Sequence, residues 1–346
     1  MMSTPKYFCC SLLAALVLAS CGKKDNYDIT GDPEIKFFTN EVNAGNAPPN
    51  SISFSVVNIP DVNGPGWANL SSTVPDAIKF PVRASREVTA EVTVSAELDN
   101  SLIDAYNAAH NTDYKPFPAG ILNTQSLAAR IPAGASRSAD SITITAETAS
   151  LHLLTEKAYM APIRLTSVSN PAAGAISSNT AIQVTYIVVH VQLRRIAYNR
   201  PAAQATGSLI ADRSSWTALL SPNPTQVSGG GSILDGSTTS YSRWGASPGQ
   251  ADVNMQEVKQ VTGIRVYTST SSTMTPTQIE VYLSEDGVNY DAIGAPLRAD
   301  LAYASGYTYI LFYKAIPAKF IRLVLHYSTS TNTQNLRLAE LQVYAE

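Results

Sequence analysis

The sequence predicts an all-β protein built as two β-sandwiches, and three observations carry that prediction. Apolar and polar residues alternate with period two through many short segments. Turn-forming residues separate these segments, and only one stretch has helical spacing. The chain has 346 residues, enough for two cores, and the alternation lapses once, over 194–208 (RRIAYNRPAAQATGS).

The N-terminus reads as a targeting signal rather than as structure. Lys6 supplies positive charge, and residues 7–19 (YFCCSLLAALVLA) form an apolar run. That run is too short for a hydrocarbon core of about 30 Å, which takes about 20 helical residues. It ends at Leu18-Ala19-Ser20-Cys21-Gly22, and the polar residues up to 34 read as a tether.

In the first domain, 35–193, residues 88–96 place Val88, Ala90, Val92 and Val94 on one face and Thr89, Glu91, Thr93 and Ser95 on the other. That is the pattern of a half-buried strand. Further strands read at 35–38, 51–57, 77–82, 141–146, 161–168 and 181–191, the last apolar enough to be central. Residues 99–110 (DNSLIDAYNAAH) break the pattern. Asp99 is a good N-cap, Leu102, Ile103 and Tyr106 share one helical stripe, and Pro116 and Pro118 forbid continuation.

After a linker at 194–208, the second domain, 209–346, reads as strands at 261–268, 278–284, 307–313, 319–327 and 338–344. Ten of the 17 Tyr and two of the three Trp lie beyond residue 208, so aromatic ligand contacts are to be sought there.

Composition excludes several functions. Charged residues make up 15% and the net charge is −3, which rules out a nucleic-acid binder working through a basic surface. The three Cys are Cys9, Cys10 and Cys21, so the folded body has no disulfide, thiolate metal site or Cys nucleophile. The four His are far apart and no HExxH pair exists, so a zinc hydrolase has no support. His190 reads as a hydrogen-bonded structural residue, while His326 fits a structural or a ligand-contact role equally. Gly229-Gly230-Gly231-Ser232 lacks the Lys-Ser/Thr of a phosphate loop, and Asp286-Gly287 reads as a hairpin turn. Sugar recognition needs a flat aromatic face and planar polar groups. Candidates are Tyr241, Arg243 and Trp244, then Tyr303 and Tyr307 around Gly306, then His326, Tyr327, Asn332 and Asn335. Trp216 reads as core packing, and Trp244 is open between core and ligand.

Four resemblances add to this reading. Leu18-Ala19-Ser20-Cys21 resembles the bacterial lipobox, which implies removal of residues 1–20 and lipidation of Cys21. Lys23-Lys24-Asp25 resembles the charged stretch of surface-exposed Bacteroidetes lipoproteins. Pieces including Ile131-Pro132-Ala133-Gly134-Ala135 and Tyr159-Met160-Ala161-Pro162-Ile163 resemble the N-terminal domain of such lipoproteins from glycan-uptake loci. That resemblance implies an Ig-like β-sandwich acting as a spacer or assembly module. In the second domain the carriers are Trp216, Ile233-Leu234-Asp235-Gly236, 261–266, Val281-Tyr282-Leu283-Ser284-Glu285-Asp286-Gly287, 319–323 and 338–344. In that order they resemble a discoidin, or coagulation factor V/VIII C-type, domain of the galactose-binding-like superfamily.

The discoidin resemblance implies a jelly-roll β-sandwich with ligand loops at one end, and it departs from the pattern after Asp235. Ser237, Ser240 and Ser242 stand where the family has an acid, a Thr and a Trp, and Trp244 is displaced. It also implies a structural Ca²⁺ on Asp235 and Glu340, at a site whose charge the serine at 237 lowers. The expected function is non-catalytic: an outer-membrane, lipid-anchored surface protein that captures a poly- or oligosaccharide with Tyr241, Arg243, Trp244, Tyr303, Tyr307, His326 and Asn332. Its expected partners are carbohydrate, the membrane through the lipid, and a glycan-uptake complex. The alternatives are an adhesion or assembly module for a protein partner and, third, a glycan-acting enzyme with paired acids in a cleft.

Overall fold

The computed structural model describes residues 34–41, 50–125, 127–222, 224–227, 233–245, 247–268, 275–327 and 336–346. Cys21, the signal sequence, most of the tether, Asn332 and Asn335 lie outside them. Among the described residues no helix is long and apolar enough to cross a membrane.

The N-terminal domain is an Ig-like sandwich. Its large sheet runs Trp67–Ser72, Ser51–Pro60, Val184–Leu193, Ala158–Val168, Val92–Leu98, Ala128–Ile131. The strand expected as central at 181–191 emerges as Val184–Leu193, after a helical turn at Thr180–Gln183; it is interior and pairs parallel with Ser51–Pro60. Two small sheets lie against this one. Ala77–Phe80, Ile142–Ala146 and Leu122–Asn123 form one, and Ala175–Ile176, Lys36–Phe38 and Arg83–Ala84 the other. Alternation places Val92, Val94, Ile163 and Ile187 opposite Ile78, Phe80, Ile142 and Ile144 in one core. Each such side chain contributes about 1.5–3 kcal/mol over its exposed state.

The helix spans Ser101–His110, with Asn100 at the N-cap position but making no side-chain cap bond. Asp99 instead accepts from the Ser101 N–H and hydroxyl, bracing the first turn from one position further back. The helix stops at Asn111, whose left-handed backbone lets its N–H bond the Asn107 carbonyl. Ile103 fixes it to the sheet by packing on Met160 and Val188. His190 is exposed rather than held in the interior, with its ring 6.3 Å from that of Tyr114.

The C-terminal domain is a discoidin-type jelly roll organised by two long bent strands, Gly249–Tyr267 and Tyr307–His326. Residues 249–254 pair with 320–325 in one sheet, flanked by Thr217–Ser221 and Gln278–Ser284. Residues 261–267 pair with 307–316 and with Glu340–Ala345 in the facing sheet. Gln256, with φ of 71°, and a break in register between Asn254 and Lys259 mark the bend. Val253, Ile321 and Leu323 meet Ile264, Phe312 and Val343 in the core between the sheets. Thr225–Val227, Tyr241–Trp244 and Leu336–Leu338 make a small third sheet.

This geometry gives the jelly roll two distinct ends. The bends at 255–260 and 313–319 close one end, which meets the first domain: Lys314 Nζ donates to the carbonyls of Asp61 at 3.2 Å and Gly64 at 2.7 Å. Residues 241–245, 247–249, 267, 307, 326 and 336–340 crowd the other end, away from that contact.

Residues 194–208 were expected as a linker, and the structure differs. Ile196–Ala197 pairs with the 307–326 strand, and Ser208–Leu209 pairs with Tyr344–Ala345. Ile196, 1% exposed, sits in the jelly-roll core. Gly207 permits the close approach: with φ of +71°, a Cβ there would lie 2.4 Å from the Ala345 carbonyl oxygen. Small residues such as Ala202 and Ala205 obscure the pattern in sequence but suit a segment lying flat on Tyr309, Leu311 and Tyr344.

Candidate functional site

The strand Tyr241–Trp244 alternates between half-buried and buried residues, so Tyr241 and Arg243 face out while Ser242 and Trp244 face in. Trp244 is therefore not a ligand platform. It is 1% exposed, packs in the core and donates from Nε1 to the Pro222 carbonyl at 2.9 Å. Trp216, 8% exposed, is also core. On the outer face Arg243 pairs in register with Arg337, whose guanidinium lies 4.3 Å from the centre of the Tyr241 ring. Among the described residues no carboxylate is ion-paired with either arginine.

The other candidates do not all converge on this face. His326 lies on the outer side of the sheet containing 320–325, with Nε2 2.6 Å from Glu280 Oε1. The Tyr282 hydroxyl donates to the other Glu280 oxygen at 2.5 Å, and that donation, with His326 adding to it, holds the Glu280 carboxyl below its ordinary range. The same surface carries Arg322, whose Nε donates to Asp252 Oδ1 at 2.6 Å and whose guanidinium stacks 4.2 Å from the Tyr290 ring. Gln250 donates to the second Asp252 oxygen at 2.7 Å.

Tyr307 lies on the outer side of the facing sheet. It is edge-on to Tyr267 at 5.1 Å and beneath Arg265 at 4.3 Å, and burial raises its phenol pKa. Tyr303 is half-buried under Arg298, 4.2 Å from its ring centre. The structure thus brings together Tyr241 and Arg243 and distributes His326, Tyr303 and Tyr307 over other surfaces.

Sequence reasoning gave no ligand role to Arg337, Asp252, Tyr290 or Glu280, although Glu280 and Arg322 fell within strands read at 278–284 and 319–327 and Tyr290 follows the Val281–Gly287 piece of the discoidin-like pattern. The available signal was alternation: Leu336-Arg337-Leu338 and Gln250-Ala251-Asp252 are short polar–apolar repeats that point every second residue outward.

The two carboxylates assigned to Ca²⁺ are engaged by protein donors in this structure. Glu340 is fully buried, with Oε1 ion-paired to Arg213 and Oε2 accepting from the Gly236 N–H at 3.0 Å. Arg213 also donates to the Leu341 carbonyl at 2.5 Å. Asp235 accepts from the Ser237 N–H at 2.8 Å and from the Ser240 hydroxyl at 3.1 Å. Glu340 thus has its cationic partner in Arg213, and each Asp235 oxygen accepts from a neighbouring donor. Among the described residues no group of three or more His, Cys, Asp or Glu could hold a metal. Burial pushes the Glu340 pKa up and Arg213 opposes that shift.

Comparison with known proteins fits this architecture. Residues 215–340 match the family model of the F5/8 type C domain, and residues 68–172 match a family described as an N-terminal domain. A search of curated proteins finds no match. The chain is similar to a two domain protein with unknown function from Bacteroides fragilis, at 15% identity and TM-score 0.51, over 90% of this chain and 94% of that one. It is also similar to a CBM32 module from Clostridium perfringens in complex with GalNAc-β-1,3-galactose, at 17% identity and TM-score 0.34, over 40% of this chain and 100% of that one. The family 32 CBM of Clostridium perfringens NanJ, in complex with galactose, aligns at 22% identity and TM-score 0.31, over 38% of this chain and 95% of that one. Residues 215–340 thus match the F5/8 type C domain model, and residues 68–172, ahead of them, match a second model of an N-terminal domain.

Proposed function

We propose that this protein is a non-catalytic glycan-binding lipoprotein of the cell surface. Cys21 anchors it to the outer membrane, the N-terminal sandwich acts as spacer, and the F5/8 type C domain captures a poly- or oligosaccharide. The observation that carries the reading is the outer face at the free end of that domain, where Tyr241 is stacked under Arg337 with Arg243 opposite. Cation–π stacking orients the phenol ring, and two forked guanidinium groups supply planar donors for vicinal hydroxyls. Asp252 and Glu280 are engaged by Arg322 and by His326 with Tyr282, which supports anchoring roles over acid–base work.

The test is glycan-array binding followed by calorimetry on the mature protein. Tyr241→Ala or Arg243→Ala should weaken the best glycan at least about tenfold, a loss of about 1.4 kcal/mol, without shifting the melting temperature. A folded protein that binds no glycan but retains a protein partner would replace this reading with an adhesion module. Cys21→Ser, expressed from the full gene, should move the protein out of the membrane fraction.

A further inference from the structure

A cleft of about 320 Å³ lies between the two domains, walled by Pro60, Pro65 and Trp67 on one side and Arg195, Ile316 and Pro317 on the other. Trp67 is held by the hairpin that joins Ser51–Pro60 to Trp67–Ser72. Pro60 pairs with Trp67, and the Asp61 N–H bonds the Gly66 carbonyl at 2.9 Å. Lys314 clamps the tip of that hairpin to the jelly roll through the Asp61 and Gly64 carbonyls. Arg195 is fixed through its carbonyl, which accepts from the Tyr313 N–H at 3.1 Å. Among the described residues its guanidinium has no hydrogen-bond or ion-pair partner.

We infer that this cleft is a second saccharide-binding site, taking an acidic sugar residue with its ring on Trp67 and its carboxylate or sulfate at Arg195. The inference rests on the reading of the protein as a glycan binder and adds a second site, in a walled cleft that the open jelly-roll face does not form. Of the three Trp, Trp216 and Trp244 are accounted for by the jelly-roll core, whereas Trp67 is half-buried in a cleft wall. A flat indole flanked by prolines matches the apolar C–H face of a pyranose. An unpaired guanidinium beside an apolar wall attracts an anion more strongly than one in open water, because less solvent screens the pair. The volume is at the small end of ligand pockets, which begin at about 300 Å³ and favour domain interfaces, so it suits a terminal residue rather than a long chain.

The position of the three Trp provides a specific readout, since Trp67 lines the cleft while Trp216 and Trp244 are buried in the jelly-roll core. The full mature chain is titrated with sialyllactose and oligogalacturonate, and with lactose as a neutral control, by calorimetry and by Trp fluorescence in parallel. An acidic saccharide should change the emission. Trp67→Phe should abolish that change and weaken binding at least tenfold, and Arg195→Gln should remove the preference for acidic over neutral ligand. Arg243→Ala should leave the Trp67 signal intact. A folded wild-type protein whose emission responds to no acidic saccharide overturns the cleft site even where calorimetry registers glycan at the jelly roll. An unchanged response in Arg195→Gln, which adds no bulk, overturns it equally. Absence of heat with any glycan overturns the general glycan reading as well.

Discussion

At the scale of single residues, Arg213 holds together the loop after Ile233 and the closing strand. Its guanidinium is 8% exposed and meets a fully buried carboxylate, so neither charge has water to fall back on. Removing one member of such a pair strands the other, at a cost of about 3–5 kcal/mol. Arg213→Met should therefore lower the melting temperature sharply. The double change Arg213→Met with Glu340→Met should restore much of the loss, because no charge is left unpaired. Calcium or a chelator should leave the wild-type melting curve unmoved. A calcium-dependent rise in melting temperature would show that Asp235 and Glu340 have oxygens to spare. None of this was legible in the sequence: 127 positions separate Arg213 from Glu340, and no periodicity spans such a gap.

At the scale of elements, local pattern determined what could be read. Gln278–Ser284 emerges with the bounds its alternation predicts, because one face is core and the other is solvent. The strand Tyr307–His326 reads as two, at 307–313 and 319–327, because Pro317 interrupts it. In the fold that proline sits at the bend opposite Gln260, where strand geometry is already relaxed. Residues 249–254 were missed since Ala251 and Asp252 give a weak apolar contrast, although Ala251 is wholly buried. Trp244 shows the converse: with Tyr241 and Arg243 outward, period two places it inward, and the displaced family position was the misleading signal.

The loop at 285–290 likewise exceeds the two-residue turn expected of Asp286-Gly287, since Leu283 pairs with Asp291. Asp286 shapes it by accepting from the Val288 and Asn289 N–H groups, each at 2.8 Å, and from Ser284 and the Asn289 side chain. Those bonds hold its carboxyl well below the ordinary value of 3.8. A depressed acid stabilises the fold above its unfolded pKa and loses that contribution as pH falls through the folded one. Asp286→Ala should accordingly lower the melting temperature at pH 7, and the gap from wild type should narrow steadily below about pH 4. A gap that does not depend on pH would mean the loop is held by something other than the carboxylate.

At the scale of the whole molecule, the segment expected to be a linker belongs to the second domain. Ile196 fills the jelly-roll core, and Ala202, Ala205 and Leu209 cover Tyr309, Leu311 and Tyr344. A fragment beginning at residue 209 forfeits Ile196 and leaves that aromatic surface open. Loss of one buried Ile costs about 2–5 kcal/mol when its site cannot collapse. At about 2–4 °C per kcal/mol for a domain of this size, the 194–346 fragment should melt roughly 5–15 °C above the 209–346 fragment. The shorter fragment should also bind a hydrophobic dye such as ANS where the longer one does not, since Tyr309 and Leu311 lose their cover. Equal melting temperatures would return the boundary to 209 and make residues 194–208 a passive tether. A clear difference makes this segment an integral part of the jelly roll, so that its first strand begins one residue after Arg195, in the wall of the cleft. The two domains are then joined with almost no slack between the core of one and the hairpin of the other, which a cleft built from both requires.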